Sequence, residues 1–213
     1  MTRVHPVFTV DQSMNWKGGS RPQDLNRADV SNAGPVVTKR RRVSLHGTSL
    51  RGADLLNTDL AGVNLVDADL TGANLAVADL TAANLAGARL VRARLSGAVL
   101  QGARLSSADL TNAKLSGANL TGANLAGASL NGARMRGTDL SGSNLGGADL
   151  RGADLTRAIL VSANLVGILW SGKTEWPADL YQEIRSRSTQ VGPGEFEIGG
   201  SGGQDHSLSV ALG

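Results

Sequence analysis

The sequence predicts an all-β solenoid, in which short extended sides meet at corners and wind around one continuous apolar interior. Two observations carry this. A leucine falls on every fifth residue between Val43 and Leu165, from Leu45, Leu50 and Leu55 to Leu155, Leu160 and Leu165, and only Met135 departs from it in twenty-five slots. Two residues before each leucine sits a small residue such as Ala53, Ala68, Ala73 or Ala78, relaxed to Val43, Thr48, Thr58, Val63, Thr138 and Ser143. A fixed internal period is read before any local propensity. Five residues turn an α-helix by roughly 140°, which would scatter the leucines around its circumference. On a flat strand the odd step would send alternate leucines to opposite faces. All are buried only if Ala and Leu, two apart, point inward from a short side and the chain then turns a corner.

The corner residues follow each leucine. Gly holds the second corner position in sixteen of the twenty-five units, where it bends without a Cβ penalty. Val77, Ala82, Arg92 and Arg157 in the same slot imply that not every corner needs a positive φ.

Stretches such as Ala68-Asp69-Leu70-Thr71-Gly72 and Ala118-Asn119-Leu120-Thr121-Gly122 resemble the pentapeptide-repeat proteins. The resemblance covers about three-fifths of the chain. It implies a right-handed quadrilateral parallel β-helix with four pentapeptides per coil, so that the repeats make roughly six coils and about 30 Å of stack. The family shares a shape far more than an activity.

Four segments are expected. Residues 1–42 form an N-terminal arm, mostly irregular, with Pro6, Gly18, Gly19 and Pro22 among scattered polar residues. Within it, Leu25 and Val30 keep the five-residue register, which suggests a degenerate first coil at 23–34; Pro35 and Arg40 in the next two leucine slots favour a loop instead. The β-helix occupies 43–170, a C-terminal cap 171–198, and a Gly/Ser-rich flexible tail 199–213. All six aromatics, Phe8, Trp16, Trp170, Trp176, Tyr181 and Phe196, lie outside the leucine run, as expected if they cover its ends. Pro177 suits the first turn of a short helix. Trp176, Leu180 and Ile184 then form an apolar stripe, which predicts a capping helix over Pro177–Arg187. Gly194 to Ile198 suggests a short strand.

No catalytic constellation is visible. The three histidines, His5, His46 and His206, lie in the arm, the first corner and the tail. With no cysteine there is no disulfide framework and no thiolate metal site. The expectation is a non-enzymatic protein with no cofactor, no metal and no small-molecule substrate. No apolar run approaches the ~20 residues of a membrane span. Met1 to Val10 lacks the apolar core of a secretory signal. A cytoplasmic location is the default.

Charge supplies the candidate site. The residue before each leucine faces outward, so residues twenty apart form columns. One column reads Asp54, Asn74, Arg94, Lys114, Arg134, Asp154, with Arg136 beside it. Arg94, Lys114, Arg134 and Arg136 are the candidate partner-binding stripe. A second column is asparagine-rich (Asn64, Asn84, Asn124, Asn144, Asn164), suited to hydrogen bonds between coils. The cluster Lys39-Arg40-Arg41-Arg42 reads as contact with an anion or as a solvated lead-in; without interleaved aromatics it makes no nucleic-acid site.

Two functions follow. The first is an interaction scaffold with an unknown protein partner, as a monomer or a C-terminal dimer. The second comes from the resemblance, since the quinolone-resistance members bind DNA topoisomerase (gyrase) as acidic mimics of duplex DNA. Between Val43 and Leu165 there are nine Asp, no Glu, nine Arg and one Lys, so the rod is near neutral and lacks the negative potential of a mimic.

Overall fold

The computed structural model describes residues 44–199, with the backbone of β1 (Phe8–Val10) and β2 (Val36–Thr38). β1 and β2 pair in parallel, with Phe8 opposite Val36. The proposed coil at 23–34, the Lys39–Arg42 cluster and the tail beyond Gly199 lie outside the described residues.

From Ser44 onward the chain is a parallel β-helix solenoid. Each residue preceding a leucine slot forms a parallel bridge with the residue twenty positions later, from Ser44↔Asn64 to Asn144↔Asn164 and Asp149↔Leu169. A turn of the chain thus contains four five-residue units. The four columns are named here by their first residues: the Ser44, Ser49, Asp54 and Asp59 walls.

The hydrogen bonds of one unit explain its residue types. In Asn119–Ala123, the N–H of Asn119 donates to Ala98 O of the previous coil (2.9 Å). Those of Leu120 and Gly122 donate to Asp139 O (2.7 Å) and Ser141 O (2.9 Å) of the next. Ala123 N–H closes the corner on Leu120 O at 3.0 Å. The remaining donor, Thr121 N–H, is taken by the side chain of Asn119 at 2.9 Å. Every backbone donor of the unit is satisfied, as a stacked solenoid requires. The Asp or Asn before leucine is thus the acceptor for the first corner N–H.

The corners correct one expectation. All sixteen corner glycines have positive φ, and so do Asn57, Asp67, Val77, Ala82, Arg92, Ser107, Asn112, Arg157 and Ser162. Val77 (φ 54°), Ala82 (54°), Arg92 (57°) and Arg157 (60°) therefore do not relax the corner; they adopt glycine's conformation. The physical reason lies in the ladder. At Val77, Ala82 and Arg92 the N–H of the second corner residue reaches the next coil, as Ala82 N–H does to Gln101 O (2.9 Å), whatever its side chain. The closing bond to the residue after it adds the geometry of a turn with positive φ at its third position.

The interior is one apolar cluster. Every described leucine slot, Met135 included, is at most 1% exposed. Among the buried hydroxyls, Thr138 donates to Leu115 O (2.9 Å) and Ser143 to Leu140 O (2.7 Å).

At the C-terminal end β3 (Leu169–Ser171) continues the Ser49 wall. It pairs antiparallel with β5 (Glu195–Ile198), which pairs antiparallel with β4 (Ser188–Gly192). Between β3 and β4 lies α1 (Tyr181–Ser186), shorter than the helix predicted over Pro177–Arg187. Its first turn is lost because Leu180 N–H bonds Pro177 O, three residues back, and no side chain caps the helix. At the other end it stops one residue short, with Arg187 as its C-cap and β4 beginning at Ser188. Trp176, Leu180 and Ile184 are nevertheless buried and belong to the same cluster as the leucines. Trp170 stacks on Phe196 with ring centroids 4.6 Å apart, meets Trp176 edge-on at 6.0 Å, and donates Nε1–H to Ser188 Oγ at 2.9 Å.

Candidate functional site

The Asp54 wall carries the stripe. Arg94, Lys114 and Arg134 are exposed and occupy successive rungs, bridged Arg94↔Lys114↔Arg134. At about 4.8 Å per rung, the three charged stems leave one wall within roughly 10 Å. Arg136 is exposed on the corner that follows, so the structure brings all four expected residues together.

A fifth cation escaped the sequence reading. Arg92 is exposed on the corner leading into the same wall, two residues before Arg94. It has the positive φ that a non-glycine side chain adopts only at a cost. Its place in a glycine slot was the available signal. Among the described residues, none of these five cations takes part in an ion pair.

The stripe breaks the rule of the repeat. Of the fifteen Asp and Asn before leucine slots, all but Asn74 accept the N–H two residues on, as in Asp79 with Thr81 and Asn124 with Ala126. Asn74 instead donates Nδ2–H to Asp54 Oδ1 at 3.0 Å. Arg94, Lys114 and Arg134 offer no acceptor, so three consecutive coils of one wall forgo the corner bond. Among the described residues the expected asparagine column has two amide bonds between coils, Asn164 Nδ2–H to Asn144 Oδ1 at 2.9 Å and Asn64 Nδ2–H to Ser44 Oγ at 3.4 Å; its amides chiefly serve their own corners.

Elsewhere charge is used structurally. Arg151 spans Asp149 (2.8 Å) and Glu195 (2.9 Å), tying the Ser49 wall to β5. Burial raises the Asp149 pKa, but hydrogen bonds and charge from Arg151 override it and hold the carboxyl below its ordinary range. The Arg151 guanidinium is shifted upward, first by its bond to Asp149 and then by that to Glu195. Arg51 pairs with Asp69 at 3.0 Å. Arg185 lies 4.4 Å from the Phe196 ring centroid.

Among the described residues no group of three or more His, Asp or Glu could hold a metal ion, and no helix is long and apolar enough to cross a membrane.

No curated protein sequence matches the chain. Similar solved structures include HetL, a pentapeptide repeat protein involved in heterocyst differentiation regulation from the cyanobacterium Nostoc. It shares 36% identity over 67% of this chain and 72% of its own, with a TM-score of 0.35. QnrB1, a plasmid-mediated fluoroquinolone resistance protein, shares 21% identity over 76% of this chain and 79% of its own. Its TM-score of 0.55 shows a common fold, the right-handed β-helix solenoid. Rfr23, a pentapeptide repeat protein from the cyanobacterium Cyanothece, shares 32% identity over 58% of this chain and 90% of its own, with a TM-score of 0.30. The family profile of the pentapeptide repeats matches in eight copies, over residues 41–75, 78–117, 103–142 and 133–168. The chain belongs to the pentapeptide-repeat family.

Proposed function

We propose that this protein is a non-enzymatic interaction scaffold that holds an anionic protein partner on the Asp54 wall, through Arg94, Lys114, Arg134 and Arg136. One observation carries the reading: on three consecutive coils the wall replaces the acceptor that its corner needs with an exposed cation. Each replacement gives up a bond of about 1 kcal/mol and stacks like charges. Departures from a protein's own local rules concentrate where function sets the residue. The topoisomerase reading is set aside on charge, since ten cations face nine carboxylates between Val43 and Leu165. The rod is read as quadrilateral, one wall per unit. The segment carrying α1 is read as its C-terminal cap, because Trp176, Leu180 and Ile184 are buried together with the last leucines. A cytoplasmic location remains the working expectation.

The test compares wild type with Arg94→Asn/Lys114→Asn/Arg134→Asn, which returns the ordinary residue type to each slot. Both are used as bait in lysate of the native cell, with bound proteins identified by mass spectrometry. The reading expects an acidic protein that wild type retains and the variant loses, although the variant melts no lower. Identical retention by both baits would contradict it.

A further inference from the structure

We infer that the partner of this wall is a short acidic segment with an apolar residue at one end, lying extended along the rod, rather than a nucleic acid. This rests on the interaction reading above and adds the partner's chemistry and two further contact residues, Arg92 and Val77.

The extent of the charge decides between the two kinds of anion. The Asp54 wall has seven rungs, Asp54, Asn74, Arg94, Lys114, Arg134, Asp154 and Glu175, so it is about 29 Å long at parallel-strand spacing. Its cations fill only the middle 10 Å or so, and carboxylates stand at both ends of the wall, with Asn74 between Asp54 and Arg94. A duplex carries one charge per roughly 1.7 Å of axis. Laid along the wall, its phosphates would face Asp54 at one end and Asp154 with Glu175 at the other. A segment with two or three carboxylates matches the run and stops where it stops, since alternate residues of a strand are about 6.7 Å apart.

The neighbouring corners add the rest. Arg92 on one side of the wall and Val77 on the other occupy glycine slots at φ 57° and 54°. Both are exposed, Val77 by 56%. Positive φ is unfavourable for any L-residue, and a β-branched one there is a true outlier. Nine non-glycine corners share this φ, and these two put a large side chain beside the start of the basic run. Val77 Cγ1 points toward the next coil, where it would lie 3.8 Å from a Cβ built on Gly97, beside the first basic rung. Leu56, 50% exposed, stands on the same corner one coil earlier. An apolar surface thus leads into the basic run, and the bound segment places its apolar residue there and its carboxylates above.

The probes are a labelled peptide, Leu-Gly-Glu-Gly-Glu-Gly-Glu-Gly, its analogue with Ala for Leu, and a labelled duplex of about twenty base pairs. Fluorescence anisotropy at low ionic strength gives the affinities, and thermal melts accompany each variant. The leucine peptide should bind more tightly than the duplex and lose affinity as salt rises. Arg92→Gly should weaken both peptides about threefold, the scale of one exposed charge pair, without lowering the melt, because glycine suits that corner. Val77→Gly should weaken the leucine peptide alone. A duplex bound as tightly as the peptide would overturn this inference while leaving an anion-binding wall. No binding of any probe would overturn the interaction reading as well. If either glycine variant left the leucine peptide unaffected, or Val77→Gly weakened both peptides equally, these contacts would be wrong.

Discussion

Lys114→Asn is predicted to stabilise the protein, and the size of the effect can be worked from its neighbours. Ser116 N–H, two residues on, has no acceptor among the described residues, whereas the equivalent Thr121 N–H has Asn119 Oδ1 at 2.9 Å. An asparagine at 114 can supply that bond, worth about 0.5–1.5 kcal/mol. The substitution also removes one cation from between Arg94 and Arg134. Two unit charges about 6 Å apart in water repel by roughly 0.7 kcal/mol, so two such pairs add about 1 kcal/mol at low salt. The sum is about 2 kcal/mol at low ionic strength and about half that at high salt, where only the hydrogen bond remains. For a chain of this size each kcal/mol moves the midpoint by roughly 2–4 °C. Thermal melts of wild type and Lys114→Asn in about 20 mM and 500 mM salt measure both parts. A variant that melts lower than wild type in both buffers would refute the reasoning, because the slot would then not be an unfilled acceptor position.

Three further outcomes are expected. Gly102→Ala should cost about 1 kcal/mol and Ala82→Gly should recover a comparable amount, since both corners have positive φ and nothing lies within 4 Å of a Cβ built on Gly102; equal melts would show that the corner imposes no strain. Leu100→Arg should abolish the cooperative melt, because Leu100 is fully buried in the middle of the stack, while Asn119→Ser should shift it little; a near-wild-type melt for Leu100→Arg contradicts the continuous interior. Ser141 holds the Asp139 carboxyl below its ordinary range, and Asp69 and Asp149 are lowered too, so their stabilisation is present above the unfolded carboxylate pKa and is lost as pH falls through the lower folded values. Midpoints should be flat from about pH 7 to 5 and fall below about pH 4; a midpoint that rises on acidification would contradict the assigned sign.

The interior was legible because a five-residue period leaves one way to bury every leucine, and the structure buries each described one. Arg94, Lys114 and Arg134 were legible once the resemblance implied four units per coil, since a twenty-residue interval then aligns them, with Arg136 on the corner beside. The corner was misread at Val77, Ala82, Arg92 and Arg157. Side-chain identity suggested relaxed geometry, but the closing turn bond at all four, with the ladder bond of the corner N–H at Val77, Ala82 and Arg92, goes with positive φ there. Arg92 was missed with it, as a corner thought unstrained carries no functional signal. The double use of Asp and Asn was also hidden. A column of amides in sequence suggests bonding between coils, while the distances assign most of them to the N–H two residues on. α1 came out shorter than its apolar stripe because Pro177 to Leu180 form a turn that buries the same side chains without helical hydrogen bonding.

The central claim is that the Asp54 wall recognises its partner through charge, and reversing that charge tests it most directly. Arg94→Glu/Lys114→Glu/Arg134→Glu should keep a cooperative melt, since all three side chains are exposed. Titrated against the glutamate peptide and a matched lysine peptide, wild type should bind only the former and the reversed wall only the latter, each interaction weakening with salt. A reversed wall that still binds the glutamate peptide as wild type does would place recognition elsewhere on the molecule.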